Sequence, residues 1–166
     1  MASKKGIAVT AIILAAITGA SFLLYIIPQN DPTTFIVSDY ENYLDGVKNI
    51  HEVLQESIDL EYQNMQNGKI SPQEYIAVTE VTSSQVTAQI SEFVTSKPSE
   101  EWQASYINYM DALKSFNSYI IETKVLANMI ENESSEEEMS EILEKIESLK
   151  AESKEFVKMS DQTRPG

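Results

Sequence analysis

Asn67-Gly68-Lys69-Ile70-Ser71-Pro72-Gln73-Glu74 reads as the end of one helix and the beginning of the next. Asn-Gly is a helix stop, because glycine enters the left-handed conformation that closes a C-terminus without a Cβ clash. Ser71 with Pro72 and Glu74 is a helix start. The serine caps, the proline suits the first helical position, and the glutamate reaches back to the cap's own N–H. A stop followed so closely by a start predicts two antiparallel helices joined by a tight reversal.

Upstream of the stop, Tyr40, Tyr43/Leu44, Val47, Ile50, Leu54, Ile58, Tyr62 and Met65 recur at steps of three and four, the spacing of one helical face. Ser38-Asp39-Tyr40-Glu41 has the form of a capping box that would open this helix. Downstream, the second helix is expected to reach about Ser96, before Lys97-Pro98. Ser99 can cap a third helix with a face of Trp102, Tyr106, Tyr109, Leu113, Phe116, Ile120, Ala127 and Ile130. Glu131 to Ser135 breaks the pattern, and Ser134 or Ser135 with Glu137 or Glu138 starts a fourth helix. That helix keeps a seven-residue repeat through Met139, Ile142, Ile146, Leu149, Ser153 and Phe156. No segment alternates apolar and polar residues as a half-buried strand would. The expected class is all-α, an antiparallel up-down-up-down four-helix bundle over residues 38–160 with a flexible tail at 161–166.

Further upstream, residues 6–27 carry no charge and end at Pro28. A helix of that length spans about 33 Å, against roughly 30 Å of bilayer hydrocarbon. Lys4 and Lys5 precede the run, and the next basic residue is Lys48. The positive-inside rule then keeps residues 1–5 cytoplasmic, makes 6–27 a transmembrane signal anchor, and exports the bundle on a stem at 28–37. A cleaved signal peptide is the rival reading, but its apolar region is shorter, and here apolar residues continue past Thr18-Gly19-Ala20. Ala11, Ala15 and Gly19 form a small-residue stripe that suits helix packing within the membrane.

Lys4-Lys5-Gly6-Ile7 resembles the leader of archaeal pilin-like proteins, which implies cleavage after Gly6 and polymerisation through the apolar helix. The N-terminus as a whole is similar to those of small single-span proteins of ammonia-oxidising archaea, a likeness that carries over no functional residue.

Composition excludes several chemistries. The chain has no cysteine, so disulfides, thiolate metal sites and cysteine nucleophiles are absent. All 26 acidic residues follow the apolar run, and of the 12 basic residues Lys4 and Lys5 precede it. So acidic a domain does not bind nucleic acid nonspecifically. A ferritin-like metal site needs Glu-x-x-His pairs, whereas the single histidine, His51, has Lys48 where the Glu would be. Glu131 to Glu144 lacks the loop of an EF-hand. Nothing supplies a phosphate-cradling glycine loop or a nucleophile elbow. The expectation is a protein without enzymatic activity, catalytic residues, metal or cofactor.

Four features remain as candidate sites. Thr79, Ser83, Thr87, Ser91 and Thr95 recur every fourth residue on the second helix, where charge is sparse, and suit a partner face. Lys150, Lys154 and Lys158, with Arg164 beyond, form a basic ridge that could dock on anionic lipid or an acidic partner. Asn132-Glu133-Ser134 fits the N-glycosylation pattern at Asn132. Tyr40, Tyr43, Phe93, Trp102, Tyr106, Tyr109 and Phe156 gather at the membrane-near end, where rings could frame a small-molecule pocket. The sequence therefore predicts a single-pass membrane protein, an accessory or assembly subunit of a membrane or envelope complex. Its partners would be the membrane and either another membrane protein or a second copy. The alternatives are a pilin-like filament subunit and an extracytoplasmic ligand-binding module.

Overall fold

The computed structural model describes residues 39–165. They form four α-helices: α1 Tyr40–Gln66, α2 Pro72–Thr95, α3 Gln103–Glu131 and α4 Glu136–Gln162, with a 3-10 turn at Glu100–Trp102. Among the described residues there is no strand, and no helix is long and apolar enough to cross a membrane. The anchor expected at 6–27, its stripe of Ala11, Ala15 and Gly19, and the stem at 28–37 lie outside the described residues.

Each helix begins and ends for a chemical reason. Asp39, and not Ser38, is the N-cap of α1, its carboxylate accepting the Asn42 N–H at 3.0 Å. That bond holds the Asp39 carboxyl below the usual carboxylate range. Gly68 (φ 65°) closes α1, its N–H donating to Met65 O at 2.9 Å and the Lys69 N–H to Asn64 O at 2.8 Å. Ser71 and Glu74 form the expected capping box of α2. Ser99 opens only the 3-10 turn and makes no side-chain cap bond, so α3 proper starts four residues later. The turn after α3 repeats the closing geometry of α1 with Glu133 at φ 54°, where the Ser134 N–H reaches Met129 O. Of the two serines offered by the sequence, Ser135 pairs with Glu138 to cap α4.

Side-chain pairs fix the directions. Tyr43 meets Phe93 at one end of α1 and α2, and Tyr62 meets Tyr75 at the other. Ser83 bonds Asn117 and Lys124 pairs with Glu80 between α2 and α3. Ser105 bonds Ser160, and Lys145 pairs with Glu122, between α3 and α4. Lys48–Asp161 and Lys150–Asp59 join α1 to α4. Every sequential pair runs antiparallel, and α1 lies parallel to α3 through Tyr106–Tyr40, His51–Tyr109 and Tyr119–Asp59.

Helix α3 is the hub. It buries Tyr106, Tyr109, Leu113, Phe116, Tyr119, Ile120 and Leu126 among its apolar residues. By contrast α4 buries only Ile146, Ser153 and Ser160. Its repeat is a seam of small residues against α3: Ser153 donates to Ala112 O at 2.9 Å, and the Ser105 hydroxyl to Ser160 O at 2.9 Å. Small side chains let the two backbones approach, and their hydroxyls bond main-chain carbonyls so that no polar group is stranded.

From residue 161 to Arg164 the chain is held in place. Helix α4 continues to Gln162, and Arg164 pairs with Asp45 at 2.6 Å and with Asp161 at 3.4 Å. The free tail expected at 161–166 is therefore, through Arg164, part of the α1–α4 contact.

Candidate functional site

The threonine and serine series on α2 starts inside the protein and winds out. Thr79 is 1% exposed and donates to Ile76 O, and Ser83 is bonded to Asn117 of α3. Thr87, Ser91 and Thr95 are exposed. The drift follows from geometry, because steps of four residues advance 40° per step on a helix of 3.6 residues per turn.

A second series stays on the outside throughout. Ala77, Val81, Ser84, Ala88, Ser91 and Thr95 are all exposed and recur at steps of four and three. This is the 3.5-residue repeat of a helix seam, written in small residues and one valine. Sequence reading caught only Ser91 and Thr95 of it, because the residues are neither strongly apolar nor charged. Between Val81 and Thr95 no exposed position of α2 carries a charge, and the one acid there, Glu92, is partly buried with its carboxyl held above the ordinary range by that burial. Glu80 at the edge is neutralised by Lys124 at 2.7 Å. A shallow depression lies along Glu80, Val81, Ser84, Gln85 and Ala88. The Lys124–Glu80 and Ser83–Asn117 pairs set exposed Ile121 and Val125 of α3 at the level of Val81. The outward face of α4 is different, with Glu137, Glu141, Glu144, Glu147, Glu152 and Glu155 all exposed.

The basic ridge is divided. Lys150 is turned inward, 2.8 Å from Asp59 and 5.5 Å over the Tyr119 ring, while Arg164 is spent on Asp45 and Asp161. Lys154 is exposed, and exposed Lys158 sits 3.7 Å from Glu155 on its own helix. Those two are the part of the ridge that faces solvent. Asn132 is the exposed C-cap of α3, its side chain donating to Asn128 O at 2.8 Å.

The aromatic end is a continuous packing of rings. Trp102 meets Tyr106 edge-on at 6.2 Å, Tyr106 meets Phe93 at 4.9 Å, and Phe93 meets Tyr109 at 5.8 Å. Tyr40 and Tyr43 flank Tyr106 at 5.9 and 6.2 Å. Burial pushes the phenols of Tyr43, Tyr75, Tyr106, Tyr109 and Tyr119 well up, and that of Tyr62 up to about 12. The rings fill the space between the helices, and neither this depression nor the one at Ser99, Glu100 and Glu101 is lined by them.

His51 is a core residue and not a surface one, 2% exposed. Its Nδ1 lies 2.9 Å from the Tyr109 hydroxyl, and its ring packs on Phe116 at 4.6 Å. Nε2 is buried without a partner, and burial pushes the imidazole down to about 4. The sequence signal was present, since His51 lies four residues after Val47 on the apolar face. Histidine's polarity hid it.

Among the described residues no group of three or more histidines and carboxylates is placed to hold a metal. No protein-family model matches the chain, and no curated protein or solved structure does so either.

Proposed function

We propose that the protein is a non-catalytic, single-span accessory or assembly subunit of a membrane complex, and that the outward face of α2 is its contact with a partner helix. The observation that carries this reading is the six-residue stripe Ala77, Val81, Ser84, Ala88, Ser91 and Thr95, exposed in an otherwise charged domain. A stripe of this length runs about 27 Å along the helix, enough for a paired-helix interface. Two acidic surfaces repel, so a chain of formal net charge −14 meets a neighbour most easily where its charge is lowest. The uncharged run at 6–27 supports the anchor, and Ala11, Ala15 and Gly19 would extend the contact into the bilayer. Exposed Lys154 and Lys158 are the residues left to meet an anionic surface.

The test is to place charge in the stripe. Ala88→Lys with Ser91→Lys, both at exposed positions, should leave the melting transition of the full-length protein within about 0.5 kcal/mol of wild type. In mild-detergent extracts of native membranes the double variant should migrate as the lone chain on native gels, where wild type migrates in a larger complex. A complex of unchanged size and abundance would remove α2 as the contact.

A further inference from the structure

Eight tyrosines stand in this chain, and the described hydroxyls differ in what they touch. Tyr106 donates to Tyr40 O at 2.8 Å, an amide carbonyl that cannot take up a proton. Tyr75 donates to Thr123 Oγ1 at 2.7 Å, which cannot either. Tyr119 donates to an Asp59 oxygen at 2.7 Å, but the same carboxylate is bound by Lys150 at 2.8 Å. Among the described tyrosines, Tyr109 is the one whose hydroxyl is bonded to an imidazole, that of the chain's one histidine.

Access to this pair runs through rings. Trp102 is partly exposed at the start of α3, and Tyr106, Phe93 and Tyr109 follow it with each centroid 4.9–6.2 Å from the last. Trp102 precedes Tyr109 by seven residues, about 10 Å along the helix. Indole and phenol are the side chains most readily oxidised by one electron among those present. A phenol gives up its electron far more easily when its proton has somewhere to go, since a protonated phenoxyl cation in an apolar core is an uncompensated charge.

We propose that Tyr109 and His51 form a proton-coupled redox site, at which an oxidising equivalent entering at Trp102 comes to rest as a neutral tyrosyl radical. The oxidant is an outer-sphere one-electron acceptor at the surface. It takes one electron from the Trp102 indole and leaves the indole radical cation. One electron then passes from Tyr109 to Trp102, which restores the neutral indole. The Tyr109 O–H bond breaks as its proton moves along the hydrogen bond to His51 Nδ1. The products are the Tyr109 phenoxyl radical, the His51 imidazolium and the reduced oxidant, so charge and electrons balance.

The surroundings make the step possible and reversible. Burial holds His51 neutral at pH 7, so Nδ1 is open to the proton. With Tyr109 donating, the neutral ring carries its own proton on Nε2, which has no partner. The imidazolium formed is therefore poorly stabilised, and the proton returns when an electron does. The radical is 1% exposed at Tyr109 and packed on Phe93, with Phe116 covering the His51 ring, which limits its reaction with solvent or with another chain.

The experiment uses the full chain in detergent, oxidised by a flash-generated ruthenium(III) polypyridyl complex and followed by transient absorption and electron paramagnetic resonance. Wild type should give a long-lived neutral tyrosyl radical. Tyr109→Phe should lose most of that signal while keeping its helical melting transition. Tyr119→Phe should retain it. Trp102→Phe should slow its appearance, and heavy water should slow it in wild type. If Tyr109→Phe has a reduced melting transition, the hyperfine pattern of the wild-type radical decides, because substitution of the imidazole with nitrogen-15 perturbs it only when His51 is the bonded partner. An undiminished radical in folded Tyr109→Phe, or one lost in Tyr119→Phe, would overturn the proposal.

Discussion

Replacing Leu113 with alanine is expected to destabilise the domain by about 2–5 kcal/mol, the range for a fully buried leucine whose neighbours cannot close the gap. Leu113 is 0% exposed, on the hub helix between Tyr109 and Phe116. Tyr109 and Phe116, one turn to either side on the same helix, are packed against Phe93 and Tyr119, so they are poorly able to collapse into the space. Exposed Glu147 on α4 provides the contrast: Glu147→Ala should change stability by less than about 0.5 kcal/mol. The measurement is urea denaturation of both variants beside wild type. Equal midpoints for the two would mean that α3 does not organise the core.

Acid should weaken the fold through His51 by a comparable amount. Its imidazole is pushed down from 6.5 to about 4 in the folded protein by burial. Between those values the unfolded chain takes up a proton that the folded chain refuses. The contribution is then fully present above pH 6.5 and is lost as the pH falls toward 4, a total of about 3 kcal/mol at 1.36 kcal/mol per pH unit. Glu92 works in the opposite sense, because burial raises its carboxyl and folding then favours its protonated form as the pH drops. The histidine's share is isolated by difference. Stability measured from pH 7.5 to 4 should fall less steeply in His51→Gln than in wild type, whatever their offset at neutral pH. Parallel curves would show that His51 is protonated with equal ease in both states.

Much of the fold was legible because its signals are local. Asn67-Gly68 and Ser71-Pro72-Gln73-Glu74 act through bonds within one turn, and both behave as read. Asp39 displaced Ser38 by one position because two cap-forming residues stand side by side, and the carboxylate reaches the Asn42 N–H. The apolar faces of α1 and α3 were readable from period up to Ala127, since large side chains on a helix stripe have nowhere else to go; Ile130, expected on the same face, is 39% exposed in the last turn of α3. What was not readable depends on partners distant in sequence. Lys150 looks like part of a basic ridge until Asp59, on a helix far earlier, claims it. Arg164 looks like a tail residue until Asp45 does the same. Ser105 and Ser160 look polar and outward, yet with Ser153, which the repeat of the fourth helix already included, they form the α3–α4 seam because each hydroxyl finds a bond in it. The outward stripe of α2 was half seen: the residues singled out at every fourth position share Ser91 and Thr95 with it and then drift into the core.

Site-specific photo-crosslinking in native membranes can show whether that stripe touches a partner. A photoreactive amino acid placed singly at Ala77, Ser84, Ser91, Glu147 or Glu155 leaves the bundle intact, because all five positions are exposed. The three α2 positions should crosslink to one and the same neighbour, at one product size, with the two α4 positions giving none of it. Crosslinks of equal yield from α2 and α4, or none from Ala77, Ser84 and Ser91, would mean that the α2 stripe is not the partner face.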